Sequence, residues 1–93
     1  MFSSPRTNII ESDSGFSVEV LGRVGVRYRE HGKSMTIDSE VLAGPSALVL
    51  YTDSITQWDS PHDFELVDDK TRRRIVDNVC EAFLSRGLKI SLQ

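Results

Sequence analysis

The chain has 93 residues, of which 39% are hydrophobic and 27% charged, and its formal net charge is -3. These values are ordinary for a globular domain and exclude a collagen-like or disordered chain. The longest uninterrupted apolar run, residues 47–51, has five residues. A membrane-spanning helix needs about 20, so the sequence predicts none.

The cysteine content and the first residues bear on the compartment. The single cysteine, Cys80, cannot form an internal disulfide, which fits a reducing environment. Residues 1–8 lack the apolar core of a signal peptide, so we expect a cytoplasmic protein. The predicted organisation is a flexible N-terminal segment, residues 1–15, followed by one domain over residues 16–93.

Alternation of apolar and polar residues predicts the first strands. Residues 16–20 alternate, and a three-residue turn at residues 21–23 would pair Val18 with Val26 and Phe16 with Tyr28. The clearest prediction is a hairpin with a two-residue loop at His31 and Gly32, because it places every apolar pair on one face. Its predicted pairs are Glu30 with Lys33, Tyr28 with Met35 and Val26 with Ile37.

The second half of the chain predicts a buried strand, a loop, a helix and a last strand. Residues 42–45 are predicted to turn, and residues 47–51 are apolar on both faces, which is typical of a central or doubly covered strand. Residues 52–67 lack a period and contain Pro61. A helix is predicted from an Asp68 N-cap to Gly87, with an apolar stripe formed by Ile75, Val76, Val79, Cys80 and Phe83.

Leu88, Ile90 and Leu92 then alternate with polar residues, which predicts a final half-buried strand. The predicted fold class is therefore α+β: a mostly antiparallel single sheet of about five strands, with one C-terminal helix packed on one face and followed by a final strand.

Catalytic chemistry finds little support in the residue pattern. Asp59, His62 and Asp63 could bind a metal or exchange protons, but the sequence near them offers no second histidine, and polar loop residues beside a proline are usually solvated. Cys80 lies on the apolar stripe of the helix, and no nucleotide-binding glycine motif occurs. We expect a non-enzymatic protein without metal or cofactor.

A basic run opens the predicted helix, at Lys70, Arg72, Arg73 and Arg74. Four acids precede it, and the chain as a whole is acidic, whereas nucleic-acid-binding domains are usually basic. The run is therefore interpreted as a solvated helix start, and no nucleic-acid partner is predicted.

Residues 53–69, called the acidic segment below, hold six acids and no Lys or Arg. The other residues carry eight acids and 11 bases, a balance of +3. Aromatic residues among like charges are typical of a protein-binding surface, because rings supply contact area and charges steer a basic partner. The predicted contact residues are Tyr51, Asp53, Trp58, Asp59, Asp63 and Glu65, and Phe64 lies among them. The alternative for Trp58 is that it caps the core.

The order of motifs resembles a family of small bacterial polymorphic-toxin immunity proteins, the class numbered seventy-four. The resemblance covers roughly residues 24–92 and joins motifs that are common singly but less so in this order. They are Tyr28-Arg29-Glu30-His31-Gly32-Lys33, Ile37, Glu40-Val41-Leu42 with Gly44, Leu50-Tyr51, Ser54-Ile55, Trp58 with Pro61, Ile75 and Val79 of the helix, and Gly87.

The resemblance implies a cytoplasmic inhibitor that binds a cognate toxin stoichiometrically, and it supplies no catalytic residues. Toxins of this kind are often nucleases with basic surfaces, which an acidic segment would suit. Two alternatives stay open. One is a homodimeric sheet domain in which a second copy covers residues 47–51 or extends an unpaired sheet edge, so the oligomeric state could be monomer or homodimer. The other is a small metal-dependent hydrolase using Asp59, His62 and Asp63.

Overall fold

The computed structural model describes residues 2–6, 8–21, 25–41 and 48–93. Eight strands and one α-helix are formed in these ranges, with a short 3₁₀ helix at Thr52–Ser54. The elements are β1 (Phe2–Arg6), β2 (Ile9–Ser12), β3 (Phe16–Val20), β4 (Val26–Glu30), β5 (Lys33–Ile37), β6 (Ser39–Val41), β7 (Leu48–Leu50), α1 (Asp69–Leu84) and β8 (Ile90–Leu92). The α+β class is confirmed.

The hairpin of β4 and β5 has the predicted register. Glu30 lies opposite Lys33, Tyr28 opposite Met35 and Val26 opposite Ile37. The loop residues His31 and Gly32 have φ values of 49° and 78°, as a two-residue hairpin turn with the twist of its strands requires.

The register predicted between β3 and β4 is wrong by two residues. Val18 lies opposite Tyr28, and Val20 opposite Val26, so the connection spans residues 21–25. The Leu21 N–H donates to the Gly25 carbonyl oxygen at 2.9 Å, which closes this longer loop. Residues 22 and 23 of the predicted turn lie outside the described residues, as does the turn predicted at residues 42–45.

The strands form two sheets rather than the single sheet that the sequence predicts. The first is antiparallel, with the order β1-β2-β3-β4-β5, and the second has the order β6-β7-β8. The chain leaves the first sheet after β5, and β6 pairs with β7 instead. On the free side of β5, the Asp59 N–H donates to the carbonyl oxygen of Ser34, a residue of that strand. β7 and β8 run parallel. β7 is the central strand of its sheet and is buried at all three residues, as predicted.

The N-terminal residues add two strands that no pattern in the sequence predicts. β1 pairs with β2, and β2 pairs with β3 through Ile10 opposite Val18. Ile10 is buried and Phe2 packs against the core, so the first sheet extends two strands beyond the predicted start of the domain. The domain limits themselves stay a prediction.

The helix α1 begins as predicted and covers the inner face of the first sheet. Asp68 is its N-cap and accepts from the Thr71 N–H at 2.8 Å, and this bond lowers the pKa of the carboxyl. The buried side of α1 consists of Ile75, Val76, Val79, Ala82 and Phe83. These residues pack with the inward side chains of β2–β5 and with Trp58 in one core.

Candidate functional site

The acidic segment is anchored to the domain at three buried apolar residues. Ile55, Trp58 and Val67 are all at most 5% exposed. The Trp58 ring centroid lies 6.3 Å from that of Tyr28, inside the core. The prediction of Trp58 as a contact residue therefore needs correction, because its ring offers no surface to a partner. Sequence spacing could not place it, since the burial depends on a strand 30 residues earlier.

Two acids of the segment pair with bases from the first sheet. Asp59 lies 3.5 Å from the Arg27 guanidinium and accepts from the Ser34 hydroxyl. Glu65 lies 3.4 Å from the Lys33 ammonium. That ammonium also stands 5.0 Å from the centre of the Trp58 ring, a cation–π geometry. The ion pairs of Asp59 and Glu65 hold the acidic segment against the hairpin of β4 and β5.

The charge that the segment presents to solvent is accordingly smaller than its composition indicates. Asp69 forms an ion pair with Arg72 at 2.7 Å, and Asp68 caps the helix. Asp63 accepts a long hydrogen bond, 3.4 Å, from the Ser60 hydroxyl, and Asp53 has no partner within the part of the chain that the structure describes. Asp53 and Asp63 are therefore the carboxylates least engaged within the domain.

Tyr51, the first of the predicted contact residues, directly follows β7 of the second sheet. Its hydroxyl donates to Glu40 at 2.9 Å, and this bond to a carboxylate raises the pKa of the phenol. The side chain is half-buried and already engaged with its neighbour strand. Tyr51 and Asp53 flank the start of the 3₁₀ helix, whereas Asp63 and Glu65 lie at the other end of the segment.

Two apolar side chains of the segment point into solvent. Phe64 is 82% exposed and Leu66 is 84% exposed. Glu65, which lies between them, is half-buried, and Val67, which follows Leu66, is buried. The side chains of residues 64–67 therefore alternate between facing solvent and facing the domain. The contact set predicted from the sequence omits Leu66 and includes Phe64 only as an aromatic residue among the acids. The alternation across residues 64–67 was the signal that could have identified them.

The residues considered for catalysis do not assemble into a metal site. Across the ranges that the structure describes, no three His, Cys, Asp or Glu side chains come together as metal ligands would. Asp59 is engaged with Arg27 and Ser34, and the His62 N–H donates to the Asp59 carbonyl oxygen in a turn. Burial raises the pKa of the Cys80 thiol, which disfavours the nucleophilic thiolate.

The basic run at the start of α1 is partly used within the domain. The Arg72 guanidinium bonds Asp69 and the Ile55 carbonyl oxygen. Arg74 donates to Glu30 at 2.6 Å. These contacts give two of the four bases a structural role.

A buried polar network, which no sequence pattern predicts, links β4 to α1. The Tyr28 hydroxyl donates to Glu30 at 2.6 Å and accepts from the Asn78 amide at 2.9 Å. Glu30 is only 6% exposed and also accepts from Arg74. Burial and the bond to Glu30 raise the pKa of Tyr28 far above its ordinary value. The spacing of these polar residues was the available signal. Tyr28 and Glu30 are two residues apart, which places them on one face of a strand, and Arg74 and Asn78 are four apart, which places them on one face of a helix.

The outer face of the first sheet carries a groove of about 410 Å³. A row of paired residues crosses it, from Glu11 through Ser17 and Arg29 to Ser34. Arg29 is exposed and has no ion pair among the described residues. This groove is a second polar surface, and it borders the acidic segment because Arg27, Lys33 and Ser34 line it and also contact Asp59 and Glu65.

In the part of the chain that the structure describes, the two sheets, the helix α1 and the anchored acidic segment define a small α+β domain. The chain belongs to the family described as Immunity protein 74, whose family model matches residues 17–93. A search among curated proteins and a search among solved structures each found no significant match. Membership implies a role in immunity to a toxin and indicates a non-enzymatic protein. Within the described ranges, no helix is both long and apolar enough to cross a membrane.

Proposed function

We propose that this protein is a cytoplasmic immunity protein of a bacterial polymorphic-toxin system, which binds its cognate toxin domain stoichiometrically and blocks it. Membership in the Immunity protein 74 family is the observation that carries the proposal. The acidic segment supports it with an anchored backbone and outward carboxylates, an arrangement that can meet a partner without a large ordering cost.

The proposed contact surface is the outer side of the acidic segment, with Asp53 and Asp63 as its charged residues. Asp59 and Glu65 contribute by holding the segment to β4 and β5 through Arg27 and Lys33. Tyr51 belongs to the margin of the surface, and Trp58 supports it from below. The proposed partner surface is basic, as in the substrate channel of a nuclease toxin, because opposite potentials speed encounter and fix orientation.

On this proposal, binding of the protein to the toxin domain is enough for inhibition, and no cofactor, metal or chemical step is needed. A homodimeric sheet domain is the weaker candidate, because β7 has both faces covered within its own chain and needs no second copy for that purpose. A monomer that binds one toxin domain is the simpler proposal.

Co-expression tests the proposal directly. The protein is produced together with the toxin domain of the reading frame beside its own gene, and a one-to-one complex is sought by pull-down and size-exclusion chromatography. Growth of cells that express the toxin domain should be restored by this protein and not by a chain with an early stop codon. Absence of both complex and rescue would refute the proposal.

A further inference from the structure

The exposed pair Phe64 and Leu66 is the largest concentration of solvent-facing apolar side chain in the acidic segment. Each is more than four-fifths exposed, and the two are separated by one residue that faces the domain. Single exposed apolar residues are common on protein surfaces, but an adjacent outward pair that includes an aromatic ring is typical of a contact point.

The backbone that carries this pair is fixed on both sides. Leu66 forms a β-bridge with Gln57, and the next residue, Val67, is buried in the core. The Glu65 carboxylate is held by Lys33, and the Glu65 N–H donates to the His62 carbonyl oxygen at 3.0 Å. Both apolar side chains are thus presented in a set orientation, so a partner would not have to order the loop.

The surroundings of the pair indicate the chemistry of its partner. Asp63 and Asp68 lie beside the two apolar residues along the chain, and both are exposed. A second copy of the chain on this surface would bring these carboxylates together, which is unfavourable. A protein surface with an apolar pocket and Lys or Arg side chains at its rim fits both features.

We infer that Phe64 and Leu66 are the apolar anchor of the interface and enter an apolar pocket on the toxin domain, while Asp63 and Asp68 meet basic side chains at the pocket rim. This inference rests on the proposed toxin-binding function and assigns the main part of the binding energy to two residues that carry no charge.

The test compares matched alanine variants in binding to the purified, catalytically inactivated toxin domain. Leu66→Ala and Leu84→Ala are the same substitution, and Leu84 is also exposed, at 62%, but lies at the end of α1 outside the segment. Phe64→Ala and Leu66→Ala should each raise Kd at least about tenfold, mainly through faster dissociation, and Leu84→Ala should leave Kd within about twofold. Unfolding by urea should be nearly the same for all three variants, because the removed side chains are exposed.

The outcomes separate the two proposals. If the unaltered protein binds the toxin domain but Leu66→Ala and Leu84→Ala behave alike, the anchor is refuted and the toxin-binding function stands. If the unaltered protein fails to bind, both fall. If sedimentation shows a homodimer that Phe64→Ala dissociates, a second copy occupies the pair, which overturns the assignment to a toxin.

Discussion

Tyr28 and Glu30 illustrate how one strand can bury polar chemistry in an apolar core. Their side chains share the inward face of β4 with Val26, and both would be costly to bury without partners. Asn78 and Arg74, one turn apart on α1, supply those partners at 2.9 Å and 2.6 Å. The network therefore fixes where the helix lies along the strand, a restraint that apolar contacts alone define poorly.

Replacement of Tyr28 by phenylalanine tests the energy of this network. The change removes one hydroxyl and leaves the Asn78 amide without its acceptor, so the free energy of unfolding should fall by about 1–3 kcal/mol. Tyr51→Phe is the matched control, because the other tyrosine bonds Glu40 near the surface. Urea unfolding followed by circular dichroism should give a lower midpoint for Tyr28→Phe with an unchanged slope. Equal midpoints for the two variants would contradict a structural role for the network.

Among the predicted site residues, the sequence could place the charges but not their partners. Asp59 and Glu65 are acids in a loop by composition, yet Arg27 and Lys33, which bind them, lie at least 32 residues away along the chain. The same limit applies to Trp58, whose neighbours in the core come from other elements. Residue type and local spacing carry no information about such long-range contacts.

At the scale of the elements, local pairing rules explain which strands were predicted correctly. The hairpin of β4 and β5 was predictable because its two-residue loop fixes the register and a one-residue slip would bury polar side chains. The length of the connection between β3 and β4 was not predictable, because loops of three and five residues keep the same side chains facing inward. The choice between them depends on contacts of the loop itself. β1 and β2 were missed because their polar residues and Pro5 obscure the alternation.

Gly25 ends the five-residue connection between β3 and β4 and lies very close to β5. Its φ is +132°, and a Cβ at this position would overlap the Ile37 carbonyl oxygen across the sheet. Only glycine therefore allows β5 and the end of the loop to approach this closely. Gly32, in the hairpin turn, also has a positive φ, but a Cβ there would meet no atom within 4 Å.

These two glycines give a paired prediction at the scale of the elements. Gly32→Ala should destabilise the protein by about 1–2 kcal/mol, the cost of a left-handed residue with a Cβ. Gly25→Ala should cost more, because the clash with Ile37 is added to the backbone strain. Thermal unfolding of both variants measures the difference, and circular dichroism before heating confirms that each is folded. A smaller loss at Gly25 than at Gly32 would show that the loop can move away from β5.

For the whole molecule, the net charge of -3 conceals an uneven distribution. The acidic segment holds six of the 14 acids, but Arg27, Lys33 and Arg72 neutralise three of them by contact. Of the remaining carboxylates, Asp63 and Asp68 lie close to the exposed Phe64 and Leu66 along the chain, whereas Asp53 lies at the other end of the segment. An apolar centre with a charged margin is the arrangement in which burial supplies affinity and charge supplies speed of encounter.

Charge reversal separates steering by this margin from steering by net charge. Asp63→Lys and Asp77→Lys change the net charge equally, but Asp77 lies on the exposed side of α1. At low ionic strength, Asp63→Lys should slow association with the toxin domain by about threefold or more, and Asp77→Lys should have a smaller effect. Stopped-flow association rates at increasing salt measure this, and the variants should converge towards the unaltered protein at about 1 M, where the Debye length is roughly 3 Å. Equal slowing by both variants would mean that only net charge matters, and the groove beside Arg29 would become the next surface to test.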